Sequence, residues 1–136
     1  MKAELKEKML REAVLVKVNS YSPYSKFRVG ACVATKSGEL ITGTNIESAS
    51  YPCGVCAERV ALASAYSKGY KKEDIVAMAV SGDSKEFISP CGMCRQVISE
   101  LMMGNATIYL LNSKQEVKEV KVRNLLPFAF NLKESK

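Results

Sequence analysis

The cysteine pattern constrains this chain more than any other feature. Cys56 stands two residues before Glu58, and Cys91 and Cys94 form a second motif directly after Pro90, in a chain that contains no histidine. Three thiolates suit a tetrahedral Zn²⁺ that keeps its fourth position for water, and a nearby carboxylate can move that water's protons. The sequence therefore predicts a catalytic zinc centre, whose ligands meet only if two distant segments fold against each other.

Both cysteine segments are expected at the start of a helix. The first helix is predicted over 56–68, and the second over 89–104, which opens on a serine as N-cap and a proline in the first helical position. Cys91 and Cys94 are three positions apart, so both sulfurs project from one helix face. The positive end of a helix also lowers the pKa of a thiol there and favours the thiolate that zinc requires.

The rest of the chain predicts a mixed sheet with helices on its faces. We expect an amphipathic helix over 2–18, a β-hairpin formed by 27–35 and 40–44, strands over 75–80, 106–111 and 116–120, and a short segment over 122–126. This order is typical of an α/β fold. At 136 residues, 47% of them hydrophobic, the chain is expected to form a single domain over residues 1–136.

Composition also bears on compartment and partners. The first residues carry charges of both signs, and no apolar run is long enough to cross a bilayer, so we expect a cytoplasmic protein without membrane contact. Closely spaced cysteines in a reducing compartment favour metal ligation over disulfides. The net charge is +6, but the basic residues are scattered and not interleaved with aromatics. No nucleic-acid partner is therefore expected.

Cys53 leaves an alternative open. With Cys56 it forms another C-x-x-C, and four thiolates would close a purely structural zinc site in a module that binds nucleic acid through its basic charge. In the favoured interpretation Cys53 is a packed small residue. Glu58 is then the acid/base, although its position would also suit an exposed carboxylate in the first turn of a helix.

The charge of the ligands predicts a supporting cation. Three thiolates outweigh the charge of Zn²⁺ and weaken it as a Lewis acid, and an arginine that donates to the sulfurs would offset this. Arg59 is favoured for that role, with Arg95 and Gln96 as weaker candidates.

These motifs resemble a known family. Cys-Ala-Glu-Arg at 56–59 and Ser-Pro-Cys-Gly-Met-Cys-Arg-Gln at 89–96 are similar to the zinc-dependent cytidine deaminases of the small homotetrameric type. The similarity extends through 21–27, 43–47 and 125–127. It implies a three-layer α/β/α sandwich around a five-stranded mixed sheet, one Zn²⁺ per subunit, and a homotetramer whose active sites are completed by neighbouring subunits.

The resemblance also assigns substrate contacts. It implies that Asn45, Ile46 and Glu47 form the segment that binds the ribose hydroxyls, that Phe27 packs on the pyrimidine, and that backbone near Ala57 contacts the base. An amide and a carboxylate suit a sugar diol, and an aromatic ring suits a flat base. Without the resemblance, the amide would be a turn residue, the carboxylate a solvated charge and the aromatic ring part of the core.

The C-terminal region departs from the family pattern. Phe128-Ala129-Phe130 stands where the family often has Gly-Ala-Phe. Phe130 matches the aromatic residue that reaches a neighbouring subunit's substrate. The additional Phe128 would tighten that pocket or fill an interface.

The resulting hypothesis is hydrolytic deamination of cytidine and deoxycytidine to the uridine forms with release of ammonia, a hydrolase reaction of pyrimidine salvage. A zinc-bound hydroxide attacks C4, while Glu58 shuttles protons to N3 and then to the departing amine. Blasticidin-S deaminase and the editing deaminases share the metal motif. The sugar-binding segment 45–47 favours a free nucleoside here.

Overall fold

The computed structural model describes residues 1–132 and has a five-stranded sheet at its centre. The strands are β1 (Val29–Thr35), β2 (Leu40–Thr44), β3 (Ile75–Gly82), β4 (Thr107–Leu111) and β5 (Val117–Lys121). The helices are α1 (Ala3–Leu15), α2 (Ala57–Ser67), α3 (Gly92–Leu101) and α4 (Val122–Leu125). The strand order is β2-β1-β3-β4-β5, in which β3 and β4 are parallel and every other neighbouring pair is antiparallel. The predicted mixed sheet is therefore confirmed, including its opening hairpin.

Helices cover both faces of the sheet. On one face Met9 and Ala13 of α1 pack against Cys32 and neighbouring small residues of the central strands. On the other face Leu62 of α2 and Ile98 of α3 lie in a larger apolar cluster. Both clusters consist of side chains that are nearly inaccessible to solvent, so the burial of apolar area stabilises each layer separately. The predicted three-layer α/β/α sandwich is confirmed.

The strands differ in burial according to their place in the sheet. The interior strand β1 is buried along almost its whole length, as its run of Val, Ala and Cys indicates. The edge strand β5 is mostly exposed and carries alternating charges from Lys118 to Lys121. Lysines along an edge oppose pairing with other chains.

Helix α3 begins later than the sequence predicts. Ser89 and Pro90 precede it in extended or irregular backbone, Cys91 is its N-cap residue, and Gly92 is its first helical residue. The predicted N-cap and the predicted position of the proline are therefore wrong. The physical reason is that Pro90 is buried beside Cys91 and its carbonyl accepts a hydrogen bond from a side chain, so the chain does not turn into the helix before Cys91.

Helix α2 lies unusually close to the sheet. A Cβ atom on Gly43 of β2 would meet the backbone nitrogen of Ala61 at 2.5 Å and the carbonyl oxygen of Ala57 at 2.6 Å. Only glycine permits this approach. It brings the first turn of α2, and Glu58 with it, down onto the sheet.

Among residues 1–132 no helix is both long and apolar enough to cross a membrane.

Candidate metal centre

Three sulfur atoms form a cluster where α2 and α3 begin. The Sγ atoms of Cys56, Cys91 and Cys94 all lie within 4.8 Å of one another, and those of Cys56 and Cys91 are 3.9 Å apart. Ligands held at about 2.3 Å around a tetrahedral zinc are separated by about 3.8 Å, so these sulfurs already have nearly the spacing that Zn²⁺ requires. Cys56 is the N-cap residue of α2 and Cys91 that of α3, so both face the positive end of a helix.

The protonation of the cluster favours a metal. The pKa of the Cys56 thiol is lowered to about 5, mainly because Cys94 donates a hydrogen bond to its sulfur. The pKa of Cys94 is raised for the converse reason, since it holds the shared proton and is also buried. The opposite pKa shifts indicate that one proton is shared between the sulfurs of Cys56 and Cys94. A bound cation would displace this proton.

The Arg59 guanidinium interacts with two of the sulfurs, a contact that its predicted supporting role requires. Burial lowers the pKa of its guanidinium, but hydrogen bonding to Cys56 and the negative charge of Cys94 and Cys56 raise it more. Its Nε atom is buried and has no regular hydrogen-bond partner among residues 1–132. Hydrogen bonding to Cys56 is the largest of the effects that raise the pKa of Arg59, and electrostatic attraction to the sulfurs adds to it. A half-buried cation beside three cysteines fits the excess negative charge of a three-thiolate zinc site.

Glu58 lies beside the cluster and is only 5% exposed. Burial raises the pKa of its carboxyl to about 7, and the nearby negative charge of Cys56 acts in the same direction. A carboxyl with a pKa near neutrality can both accept and release a proton. The alternative of an exposed carboxylate in the first helical turn is therefore wrong.

Cys53 lies outside the cluster. It is exposed, and its sulfur contacts Ser50 Oγ at 3.6 Å. The sulfur atoms that come together are those of Cys56, Cys91 and Cys94 alone among residues 1–132, so a four-cysteine site is not formed. The interpretation of Cys53 as a packed residue is also wrong.

Two adjoining cavities lead to the sulfur cluster. The inner cavity, of about 180 Å³, is lined by Ala57, Glu58 and Cys91 among other residues. The outer cavity, of about 300 Å³, is lined by the loop 45–48 and by the exposed side chains of Tyr24 and Tyr51. Asn45 and Cys56 line both, so the inner cavity is the floor of a single cleft. This size suits a small ring-containing ligand.

Asn45 anchors the wall of this cleft. Its Nδ2 donates to the carbonyl of Phe27 at 2.9 Å, and its Oδ1 accepts from the backbone N–H of Val29 at 2.9 Å and from the hydroxyl of Ser20. One amide hydrogen remains for a ligand. The residue thus holds the Phe27 backbone while facing the cleft.

Glu47 holds the same loop from its other side. Its Oε1 accepts from the backbone N–H groups of Tyr24 and Ser25 at 3.0 and 3.2 Å, and its Oε2 accepts from the Ser25 hydroxyl. Hydrogen bonding from Ser25 is the main reason that the pKa of the Glu47 carboxyl lies below its ordinary value. The Ser25 oxygen in turn accepts from the backbone N–H of Phe27 at 3.0 Å.

Ser20 and Ser25 are the residues that sequence reasoning missed. Ser25 lies within the matched segment 21–27, and that position is the only sequence signal that could have identified it. Ile46 lines the outer cavity, and the Phe27 ring lies near Gly82.

The weaker candidates for support of the sulfurs make other contacts. Gln96 donates from Nε2 to Glu100 at 3.1 Å and to the carbonyl of Phe130 at 3.0 Å, while the Arg95 guanidinium donates to oxygen atoms of three other residues. The Phe130 side chain is 65% exposed. Within residues 1–132 it does not enter the cleft of its own chain.

The chain is similar in sequence to known deaminases. Residues 3–110 match the family model described as the cytidine and deoxycytidylate deaminase zinc-binding region. A cytidine deaminase from Halalkalibacterium halodurans is 45% identical over 125 residues, which cover 92% of this chain and 93% of the relative. A blasticidin-S deaminase from Bacillus cereus is 32% identical over 127 residues, which cover 89% of each chain.

A solved structure shows the same fold. The crystal structure of a cytidine deaminase from Burkholderia pseudomallei aligns with a TM-score of 0.89 at 38% sequence identity. The alignment covers 96% of this chain and all of the other.

Proposed function

The chain belongs to the cytidine and deoxycytidylate deaminase family of zinc-binding proteins, and we propose on this premise that it hydrolyses cytidine and deoxycytidine to uridine and deoxyuridine with release of ammonia. One observation carries the proposal. A buried carboxyl with a pKa raised to about 7 lies beside three sulfurs at the floor of a cleft of suitable size. That arrangement suits addition of water to an amidine carbon.

The three cysteines fit the family's metal, with one Zn²⁺ per chain held by Cys56, Cys91 and Cys94. Lewis acidity toward a water molecule is the chemistry that bound zinc supplies here. Arg59 offsets part of the negative charge of the thiolates.

Glu58 carries the proton transfers. Its carboxylate takes one proton from the water and delivers it to N3 of the base, while the water oxygen forms a bond to C4. It then takes the second proton of that oxygen and delivers it to the amine, whose bond to C4 breaks. Water and cytidine are consumed, uridine and ammonia leave, and the carboxylate is regenerated.

The walls of the cleft orient the nucleoside. Asn45 offers an amide hydrogen and Glu47 a carboxylate to the ribose hydroxyls, with Ile46 between them, while the backbone at Ala57 contacts the edge of the pyrimidine. Packing of Phe27 against the pyrimidine rests on the family resemblance, since Phe27 is not among the residues that line the two cavities. Ser25 already donates a hydroxyl hydrogen to Glu47, a geometry that a sugar hydroxyl can share or replace.

The lining charges favour a nucleoside over a nucleotide. Among the described residues that line the two cavities there is no lysine or arginine, whereas Glu47 and Glu58 both contribute carboxyl groups. A 5′-phosphate would enter without a counterion and would be repelled by the carboxylates. We therefore expect deoxycytidylate to be a poor substrate.

The proposed function also has consequences for the assembly, the metabolic role and the location of the protein. We propose a homotetramer in which Phe130 of one subunit reaches the cleft of another, and a role in pyrimidine salvage. Since three free thiolates would be oxidised outside a reducing compartment, we also propose a cytoplasmic location without nucleic-acid or membrane partners.

The decisive experiment is an ultraviolet assay of zinc-loaded protein with cytidine, deoxycytidine, deoxycytidylate and blasticidin S. We expect conversion of both nucleosides, and a kcat/KM for deoxycytidylate lower by at least about tenfold, equivalent to about 1.4 kcal/mol. Preference for blasticidin S would replace the substrate assignment. Failure to convert any of the four compounds with stoichiometric zinc bound would contradict the proposed function.

A further inference from the structure

Arg95 occupies an unusual position directly after the ligand Cys94. Its Nε donates to the carbonyl of Pro90 at 2.8 Å and its Nη2 to the hydroxyl of Ser89 at 2.6 Å. Its Nη1 donates to the carbonyl of Leu125 at 2.8 Å. One guanidinium therefore links the residues that precede Cys91 to the end of α4.

The next residue extends this link. Gln96 donates to the carbonyl of Phe130, so consecutive side chains of α3 hold both ends of the segment 125–130. This segment carries Phe128, a non-glycine residue with a φ of 58° whose side chain is fully exposed. It makes no strand pairing of its own within residues 1–132. The position of the segment 125–130 therefore depends strongly on the hydrogen bonds from Arg95 and Gln96.

The position of the loop before Cys91 also depends on side-chain contacts. Residues 83–90 form no helix or strand, and Cys91 joins α3 only through its carbonyl, which accepts from the backbone N–H of Arg95 at 2.9 Å. Regular secondary structure therefore does not fix the backbone that leads into Cys91. A planar guanidinium bound to a carbonyl and a hydroxyl of consecutive residues restrains that backbone in a way that a flexible ammonium cannot.

We propose that Arg95 is a positioning residue that joins the Cys91 loop and the C-terminal segment 125–130 into one unit. Retention of zinc and the placement of that segment then depend on each other through a single side chain. Arg59 stabilises the charge on the sulfurs, whereas Arg95 fixes the position of the loop and makes its hydrogen bonds to oxygen atoms. The inference rests on zinc at the three cysteines and not on the identity of the substrate.

The first test measures zinc release into a chromophoric chelator from the zinc-loaded protein. Arg95→Met removes all three donors and keeps most of the aliphatic stem, so we expect release to accelerate about 10-fold or more, the range typical for loss of a residue that orients a ligand. Arg95→Lys should lie between the wild type and the methionine variant, and it preserves the test if the methionine variant does not fold.

Two matched controls separate positioning from charge and from general stability. Arg123→Met removes a cation from α4 whose exposed side chain makes no hydrogen bond or ion pair within residues 1–132, and it should release zinc at the wild-type rate. Ile98→Val removes one buried methylene from the core face of α3. The comparison is made between Ile98→Val and Arg95→Met when both have lost the same amount of unfolding free energy. If Ile98→Val then releases zinc as fast as Arg95→Met, the proposal is overturned.

The second test measures the coupling itself by hydrogen exchange. In the wild type, removal of zinc should raise deuterium uptake both in the loop 83–91 and in the segment 122–130, since coupling between two sites is reciprocal. In Arg95→Met the uptake of 122–130 should already be raised and should no longer respond to zinc. An unchanged response to zinc in that variant, or no response in the wild type, would refute the coupling.

Discussion

Glu58 shows how a side chain acquires a chemical role from its surroundings. The sequence places a carboxylate two residues after a cysteine, but a pKa raised to about 7 results from its burial on the floor of the cleft. The same residue type at Glu47 has a lowered pKa, because Ser25 donates a hydrogen bond to it. Two carboxyl groups of one cleft are thus adapted to different tasks by their neighbours.

Substitution of Glu58 by glutamine tests the proton transfers. The amide preserves size and leaves the sulfurs in place, so zinc content should remain stoichiometric while kcat falls by about 10²- to 10⁴-fold, the usual contribution of general acid/base catalysis. Zinc content by atomic absorption and turnover by ultraviolet assay decide the outcome. Near-normal turnover would contradict the assigned mechanism.

The two kinds of cysteine should respond differently to replacement. Cys53→Ser changes an exposed residue outside the sulfur cluster, so zinc content and turnover should be those of the wild type. Cys91→Ala removes a ligand and should abolish stoichiometric zinc and lower the midpoint of thermal unfolding. Loss of zinc from Cys53→Ser would instead favour the four-cysteine site.

At the scale of elements, close contact between α2 and β2 positions the reactive carboxyl. The backbone of α2 passes so near Gly43 that a methyl group there would overlap two backbone atoms of the helix. Since backbone atoms cannot rotate aside as a side chain can, the helix itself must shift. Position and tilt of Glu58 therefore depend on a glycine in a different element.

Gly43→Ala should accordingly destabilise the protein. Overpacking of this kind costs typically about 1 to 3 kcal/mol of unfolding free energy, which urea denaturation measures. Gly104→Ala is the matched control, because a Cβ there would meet only a side-chain atom of Arg123 at an ordinary 3.5 Å. Equal stability of the two variants would show that α2 can move away from the sheet without cost.

At the scale of the whole molecule, apolar side chains remain exposed near the C-terminus. Phe128 is fully exposed, Phe130 is 65% exposed and Leu132 is 66% exposed. Tyr51, at the mouth of the cleft, is 87% exposed. Exposed large apolar side chains are typical of surfaces that a partner covers, in agreement with the proposed tetramer.

Subunit complementation tests whether the sites are shared. Glu58→Gln and Phe130→Ala should each be nearly inactive alone. Coexpressed as a mixed oligomer, they should regain part of the wild-type turnover, because a site with an intact Glu58 can receive Phe130 from the other variant. If a verified mixed oligomer recovers no turnover, Phe130 of one subunit does not complete the active site of another. Sedimentation velocity checks the oligomeric state.

Local pattern and residue chemistry determined much of this protein in advance. Helical and strand periodicity indicated the order of helices and strands and the mixed sheet, and the spacing of three cysteines identified the ligands that the structure brings together. These features are predictable because each depends on neighbours in sequence or on the ligand preferences of one metal.

Only the tertiary structure decided the features that depend on contacts between distant segments. The late start of α3, the exposure of Cys53 and the raised pKa of Glu58 all result from which surfaces meet. The sequence favoured Arg59 for contact with the sulfurs, but the oxygen partners of Arg95 could not be assigned from sequence, since they lie in segments as distant as Leu125. Burial and hydrogen bonding across the fold are collective properties, and no local pattern encodes them.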